Sequence, residues 1–305
     1  MGDRVYRNEA QVVGLINNAE FDADRGRSGA GRVGIRADES MVYVQMWERT
    51  DDDDNSLRIV ENFIKGLTEG RYIDAAGELN EWESEGEYRR QIVNRMVSKK
   101  KEKVYNMDVL DTEDTNELAI VTLAGDVLES DCNLTSEVQG KKVNEETPRL
   151  DLTLVTFNFY NPKTDEEDLT PREVLINEIN RSINYLEENN KSTSLFEKMK
   201  GKLENDKSDQ AFYDVLKQFV KNGQSYNINT FHLTAYGDLA ENIDDEVNTG
   251  DNITVGCDIL NTQVRNKYNI AKGTLNEIEI GYYAGINEKS GVSEGGINDD
   301  NDVPW

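Results

Sequence analysis

The stretch Met41 to Arg90, MVYVQMWERTDDDDNSLRIVENFIKGLTEGRYIDAAGELNEWESEGEYRR, holds an order of parts that few folds share. Strand side chains alternate between two faces, so a strand here sends Val42, Val44 and Met46 to a core and Tyr43, Gln45 and Trp47 outward. After an acidic loop, Leu57, Val60, Phe63, Ile64 and Leu67 recur at three- and four-residue steps, which predicts one face of a short helix over residues 55–67. Gly70 ends it. A second strand, Arg71 to Leu79, passes through Gly77 into a long polar hairpin with Trp82 on its near side, Gly86 at its tip, and Tyr88, Arg89 and Arg90 on the return.

Strand, helix, strand and a long aromatic and basic hairpin describe the second half of an OB-fold barrel, in which a helix plugs one end and a hairpin reaches toward ligand. The residues themselves resemble the bacterial and phage single-stranded-DNA-binding protein family. There a strand ends in an aromatic, a short helix follows, then Lys-Gly-x-x-Val-x-Val-x-Gly-x-Leu, then a hairpin with Trp, Gly and Arg-Tyr. This chain has Glu69-Gly70, Ile73, Ala75, Gly77, Leu79, Trp82, Gly86 and Tyr88-Arg89 in those places, with Glu for the usual Lys at 69 and the Arg-Tyr pair reversed.

Upstream, Gln11 to Phe21 reads as a first strand with Gly14 where a barrel strand must bend. Residues 21–31 read as a Gly- and Arg-rich loop, and Arg32 to Ala37 as a second strand. With Gln91 to Val97 as the fifth strand, residues 1–105 make one complete barrel. The Lys99-Lys100-Lys101 run behind it is a linker, or a phosphate contact beside a binding face.

A second module begins near Asn116. Leu118 to Leu128 again carries a Gly inside an apolar strand, Ser130 to Pro148 reads as a polar loop, and Leu150 to Tyr160 alternates as a strand. Thr170-Pro171-Arg172-Glu173 is a capping box with Pro at the first helical position. The apolar stripes behind it and behind Ser208 predict three helices over about residues 169–222. The family pattern lacks them, so they read as an insertion in the second barrel: a helical subdomain packed on it, or a partner-binding element. Tyr236-Gly237-Asp238-Leu239-Ala240-Glu241 then resembles the family's aromatic-Gly-x-Leu-Ala-Glu, and Gly250, Ile253, Val255 and Ile259 repeat the frame of the first barrel. Counting back from Gly237 puts Thr230 and Phe231 where the family has a base-stacking Trp and a His. Asn261 to Tyr268 reads as a long hairpin and Thr274 to Tyr282 as the closing strand.

From Gly285 the composition cannot bury enough surface to order itself. Asp299, Asp300 and Asp302 precede Val303-Pro304-Trp305, similar to the family's acidic tail, with Trp where Phe is usual. Trp305 offers a large apolar anchor and the acidic run steers toward basic surfaces.

The chain of 305 residues holds 34 Lys and Arg against 60 Asp and Glu, a net charge of −26 that argues against a general nucleic-acid binder. The charge is unevenly spread, about −4 up to Tyr105 and about −22 beyond it. Local clusters such as Arg25, Arg27, Arg32 and Arg36 bind phosphates, not totals. Cys132 and Cys257 lack paired spacing and His232 is the single His, so neither zinc nor a disulfide framework is indicated. His232 is a packing residue or one that faces the ligand; Asp51 to Asp54 is a solvated turn or a cation chelator without calcium-loop spacing. No P-loop, Cys-x-x-Cys or nucleophile with a base is legible, so no enzyme and no cofactor are expected. No run of about 18 apolar residues exists to cross a membrane, and no apolar leader opens the chain, so a cytoplasmic protein of a bacterial or phage-infected cell is expected.

The expected fold is thus mainly β: two five-stranded OB-fold barrels, at 1–105 and 106–285, the second with a helical insertion at about 169–222, and a disordered acidic tail at 286–305. The resemblance implies sequence-tolerant binding of single-stranded DNA in replication or recombination. Rings for stacking would be Tyr43, Trp47, Trp82 and Tyr88, then Tyr236 and Tyr268. Phosphate contacts would come from Arg32, Arg36, Arg89, Arg90, Arg265 and Lys267. It further implies recruitment of replication proteins by the tail, and a homodimer, since four-barrel assembly is common in the family. The competing expectation is an OB-fold interaction adaptor, which the acidity beyond residue 105 favours, or an RNA binder with the same surface.

Overall fold

A computed structural model describes residues 4–25, 29–37, 40–48, 57–84, 87–94, 107–111, 116–138, 141–159, 169–223, 225, 227–258, 261–264, 267–270 and 273–282. The Asp51–Asp54 run, read as a solvated turn or a cation chelator, the Lys99–Lys101 run and the tail lie outside them.

Five strands close the first barrel: β1 (Arg7–Asp22), β2 (Ala30–Ala37), β3 (Ser40–Trp47), β4 (Tyr72–Ser84) and β5 (Glu87–Asn94). Their order is β1-β2-β3-β5-β4, and β4 returns to β1; only β3 with β5 is parallel. Helix α1 (Ile59–Gly66) sits between β3 and β4 and buries Val60 and Ile64. Its N-terminal residue Arg58 supplies no cap. The buried Glu48 carboxylate, at the end of β3, accepts the Ile59 and Glu61 amides at 3.1 and 3.0 Å, where the helix dipole favours negative charge. β6 (Met107–Leu110), past the expected boundary at 105, adds to β4 of this barrel.

The second barrel repeats the circuit with β7 (Leu118–Val138), β8 (Lys141–Phe157), β9 (Ile228–Tyr236), β10 (Asn252–Asp258) and β13 (Gly273–Tyr282), in the order β7-β8-β9-β13-β10 with β10 back on β7. Helix α5 (Asp238–Glu246) takes the place of α1. A closed five-stranded barrel with this strand order and a helix between its third and fourth strands is the OB fold, present twice.

Correspondence between the barrels runs residue by residue. β1 and β7 pair antiparallel, with Ala10 opposite Val121 at the centre and Arg7–Ala124 and Val13–Leu118 at the ends, a ladder that maps onto itself when Gly14 is placed on Gly125. A Cβ on Gly14 would stand 2.2 Å from the Arg36 carbonyl oxygen, and one on Gly125 would stand 2.2 Å from that of Val155. Both strands must therefore carry Gly where the chain bends tightly past its neighbour. Each has its bulge at the same place, between Ile16 and Asn18 and between Val127 and Glu129. One apolar core runs through both barrels, from Val12, Val44, Ile73 and Ile92 to Leu123, Leu152, Phe231 and Val255.

Residues 130–148, expected to be a loop, instead continue β7 and β8 as a long hairpin paired to Val138–Lys141. Its polar residues cover no core, so no apolar alternation marks the strands. Helices α2 (Pro171–Glu188), α3 (Ser194–Asn205) and α4 (Asp209–Asn222) pack Leu175, Ile179, Met199, Leu203, Leu216 and Phe219 together with Val155 and Phe157 of β8. The capping box forms: the Thr170 amide donates to Glu173 Oε2 at 2.8 Å, and the Glu173 amide donates to Thr170 Oγ1 at 3.3 Å.

Candidate nucleic-acid interface

Directly opposed residues in an antiparallel ladder share a face. β2 sets Arg36 opposite Met41, Gly34 opposite Tyr43, Arg32 opposite Gln45 and Ala30 opposite Trp47, while Val33 opposes Val44 and Ile35 opposes Val42 in the core. Parallel pairing of β3 with β5 carries the same outer face to Gln91 and Val93, and β5 with β4 carries it to Arg89 opposite Trp82. One outward surface therefore holds Arg32, Arg36, Tyr43, Trp47, Trp82 and Arg89.

Trp47 is 46% exposed and Trp82 39% exposed, and the ladder puts them at opposite ends of this surface. At about 3.3 Å per residue the two indoles are on the order of 20 Å apart along the strands. Arg36 is exposed, Tyr43 and Arg89 half-buried. The Arg32 guanidinium lies 3.8 Å from the centre of the Tyr43 ring, and that of Arg25 lies 5.7 Å from Trp47. A cation over a ring face is attracted by its quadrupole. Each pairing sets a positive charge beside a surface on which a base can stack. Arg25 belongs to the Arg cluster that the sequence marks as a phosphate-binding patch, although the leading phosphate contacts expected there are Arg32 and Arg36. Gly34, opposite Tyr43, leaves the space in which a Cβ would stand 3.1 Å from that ring. Gln45, also outward in register, is buried because its amide donates to the Gly31 carbonyl at 2.8 Å.

Arg90 departs from expectation. It alternates with Arg89, so it stands on the inner side of the ribbon with Leu79 and Ile92, where it is buried and ion-paired with an equally buried Glu81. Its Nη2 donates to the His232 carbonyl, and Glu81 Oε1 accepts the His232 amide at 2.9 Å and lies 2.6 Å from His232 Nδ1. A group locked in this way is not offered to phosphate. Arg90 and Glu81 instead join the two barrels, and His232 is a packing residue.

The other expected contacts are not brought to this face by side chains the structure describes. Tyr88 pairs with Glu83 in the β4–β5 ladder. Tyr236 stands at the end of β9, opposite Arg149. Lys267 and Tyr268 stand on β12 (Lys267–Ile270), which pairs with β11 (Asn261–Val264); Arg265 lies outside the described residues. This hairpin of the second barrel approaches β3 and β5 of the first.

Among the described residues no three His, Cys, Asp or Glu come together to hold a metal, and no helix is long and apolar enough to cross a membrane. No family model and no curated protein matches the sequence. Among solved structures, a deletion mutant of the single-stranded DNA binding protein from Thermus aquaticus is similar over 92% of this chain and 96% of its own, at 14% identity and a TM-score of 0.48. The wild-type protein is similar over 95% and 97%, at 14% identity and 0.46. A Plasmodium falciparum protein of the same description, in complex with single-stranded DNA, covers 36% of this chain and 100% of its own, at 13% identity and 0.25.

Proposed function

We propose that the chain is a non-catalytic, sequence-tolerant single-stranded-DNA-binding protein whose interface is the outer face of β2, β3, β4 and β5. The observation that carries this reading is the pair of exposed indoles, Trp47 and Trp82, on one sheet face with Arg32, Arg36 and Arg89. Stacking accepts any base, and cations along the face follow the backbone without reading sequence. An acidic chain avoids spreading over duplex DNA while a local basic strip retains a single strand.

The rest of the reading follows from the resemblance: work in replication or recombination in a bacterial or phage-infected cell, recruitment of partner proteins by Asp299, Asp300, Asp302 and Val303-Pro304-Trp305, and assembly as a homodimer. A second reading, an OB-fold adaptor, is favoured by the charge of about −22 beyond residue 105.

Titration with oligo-dT, following intrinsic Trp fluorescence at low and moderate salt, separates the two. Quenching that saturates and weakens with salt supports binding, because phosphate contacts release counterions. No binding, with or without residues 286–305, leaves the adaptor.

A further inference from the structure

The duplicated ladder allows the face just described to be compared with its counterpart in the second barrel. The pairs Leu15–Arg36 and Asp126–Val155 set Arg36 and Val155 at the same place, and the pairs Arg36–Met41 and Val155–Thr230 do so for Met41 and Thr230. It follows that Tyr43 corresponds to His232, Trp47 to Tyr236, and Arg32, opposite Gln45, to Asp151, opposite Thr234.

The fold is kept and the surface is not. Where Arg32 lies over a ring, Asp151 puts a carboxylate that binds Arg149 at 3.0 Å and accepts the Thr234 hydroxyl at 3.1 Å. Arg149, opposite Tyr236 on this face, is thereby held by an acid. Where Arg36 is exposed, Val155 is buried under the α2–α4 helices. Where the first barrel has the Tyr43 ring, His232 is held by Glu81 of the first barrel's hairpin. Following the chain from Ile73 and Ile253, which oppose Gly14 and Gly125, places Thr262 at the position of Trp82. Of the three rings on the first barrel's face, Trp47 alone has an aromatic counterpart among the described residues, in Tyr236; Tyr88, which that face does not include, corresponds to Tyr268 of the β11–β12 hairpin.

We propose that the two barrels have divided their labour: the first binds the nucleic acid and the second has become its support, its own strand face closed by Asp151, Val155 and the Glu81–His232 contact. This rests on the single-strand-binding reading above. A polyanion meeting the second face finds a carboxylate already paired with Arg149 where the first offers a guanidinium, so that face lacks the attraction of the first. The chain then occupies the length of strand that one barrel covers, although it contains two.

The test uses the full chain and fluorescein-labelled oligo-dT of graded length, read by anisotropy for affinity and stoichiometry. Arg149→Gln with Tyr236→Ala is expected to leave affinity within about twofold and the number of chains per oligomer unchanged. Trp47→Ala with Trp82→Ala, both exposed sites, is expected to weaken binding at least about tenfold with no tight phase remaining; Arg32→Ala with Arg36→Ala serves as an independent check on the same face. A saturable phase that survives in the Trp variant and disappears when Tyr236→Ala is added would overturn the division of labour alone. Absence of binding by the unmodified chain would overturn both this proposal and the function it rests on.

Discussion

His232 Nδ1 lies 2.6 Å from Glu81 Oε1, and that same oxygen accepts the His232 backbone amide at 2.9 Å, across the junction of the two barrels. Arg90, ion-paired to Glu81, donates to the carbonyl of the same His. Two buried side chains thus satisfy both backbone groups of one residue at the edge of β9, as a neighbouring strand would. Removing one member of a buried pair strands the other charge, which costs about 3–5 kcal/mol. Glu81→Ala should lose that much in urea unfolding, and Glu81→Met with Arg90→Met distinctly less, since no charge is left buried. Equal losses would mean that the pair's charge is immaterial to the junction.

Stacking and phosphate contact leave different signatures on the first barrel's face. Loss of both exposed indoles removes about one stacked base or more, worth about 1–3 kcal/mol each, so affinity for oligo-dT should fall at least about tenfold. Salt dependence should barely change. Arg36→Ala should instead lower the slope of log affinity against log salt by about 0.7, the release accompanying one phosphate on a single strand. A Trp variant that changed the slope, or an Arg36 variant that did not, would reverse these assignments.

Much of this face is legible in the chain because period-two alternation needs only local residues. Val42, Val44 and Met46 go to the core and Tyr43 and Trp47 to the outside, as their spacing predicts. Register is not local. Arg89 and Arg90 look alike in sequence, and only pairing with Trp82 and Glu81 separates an outward cation from a buried one. Asp151 likewise reads as an ordinary strand residue until the ladder sets it at the place of Arg32. The β7–β8 hairpin is not legible in the chain because strands with solvent on both faces carry no apolar pattern.

The capping box at the start of α2 predicts a pH dependence. Hydrogen bonds from the Thr170 amide and hydroxyl hold the Glu173 carboxyl below the usual carboxylate range. A lowered folded value means stability that is fully present above the unfolded value, near 4.3, and lost as pH falls through the folded one. Glu173→Gln should flatten this part of the acid limb in denaturation followed from pH 5 to 3. At neutral pH Thr170→Ala should cost about 1 kcal/mol, as loss of an N-cap does. An unchanged acid limb in the Gln variant would detach Glu173 from the cap.

The N-terminal segment is fastened by a second buried acid. Asp126 is fully buried in β7, accepts from Asn252 Nδ2 at 2.9 Å and from the Tyr6 and Tyr213 hydroxyls at 3.0 and 2.9 Å, and pairs with Arg4 at 2.8 Å. Burial pushes its carboxyl above the usual range, and Arg4 with these three donors draws it back. Arg4 also donates to Tyr213 of α4, so one carboxylate ties the segment before β1 to the helical insertion. Arg4→Gln takes away the countercharge but leaves the carboxylate buried, a loss of about 3–5 kcal/mol at neutral pH. Without Arg4 the carboxyl rises further and protonates at milder acidity, and a neutral acid needs no countercharge. The gap between variant and parent should therefore narrow as pH falls from 7 to 5. Chemical denaturation at the two pH values measures it; a gap that stayed constant would mean that Arg4 acts by packing and not by charge.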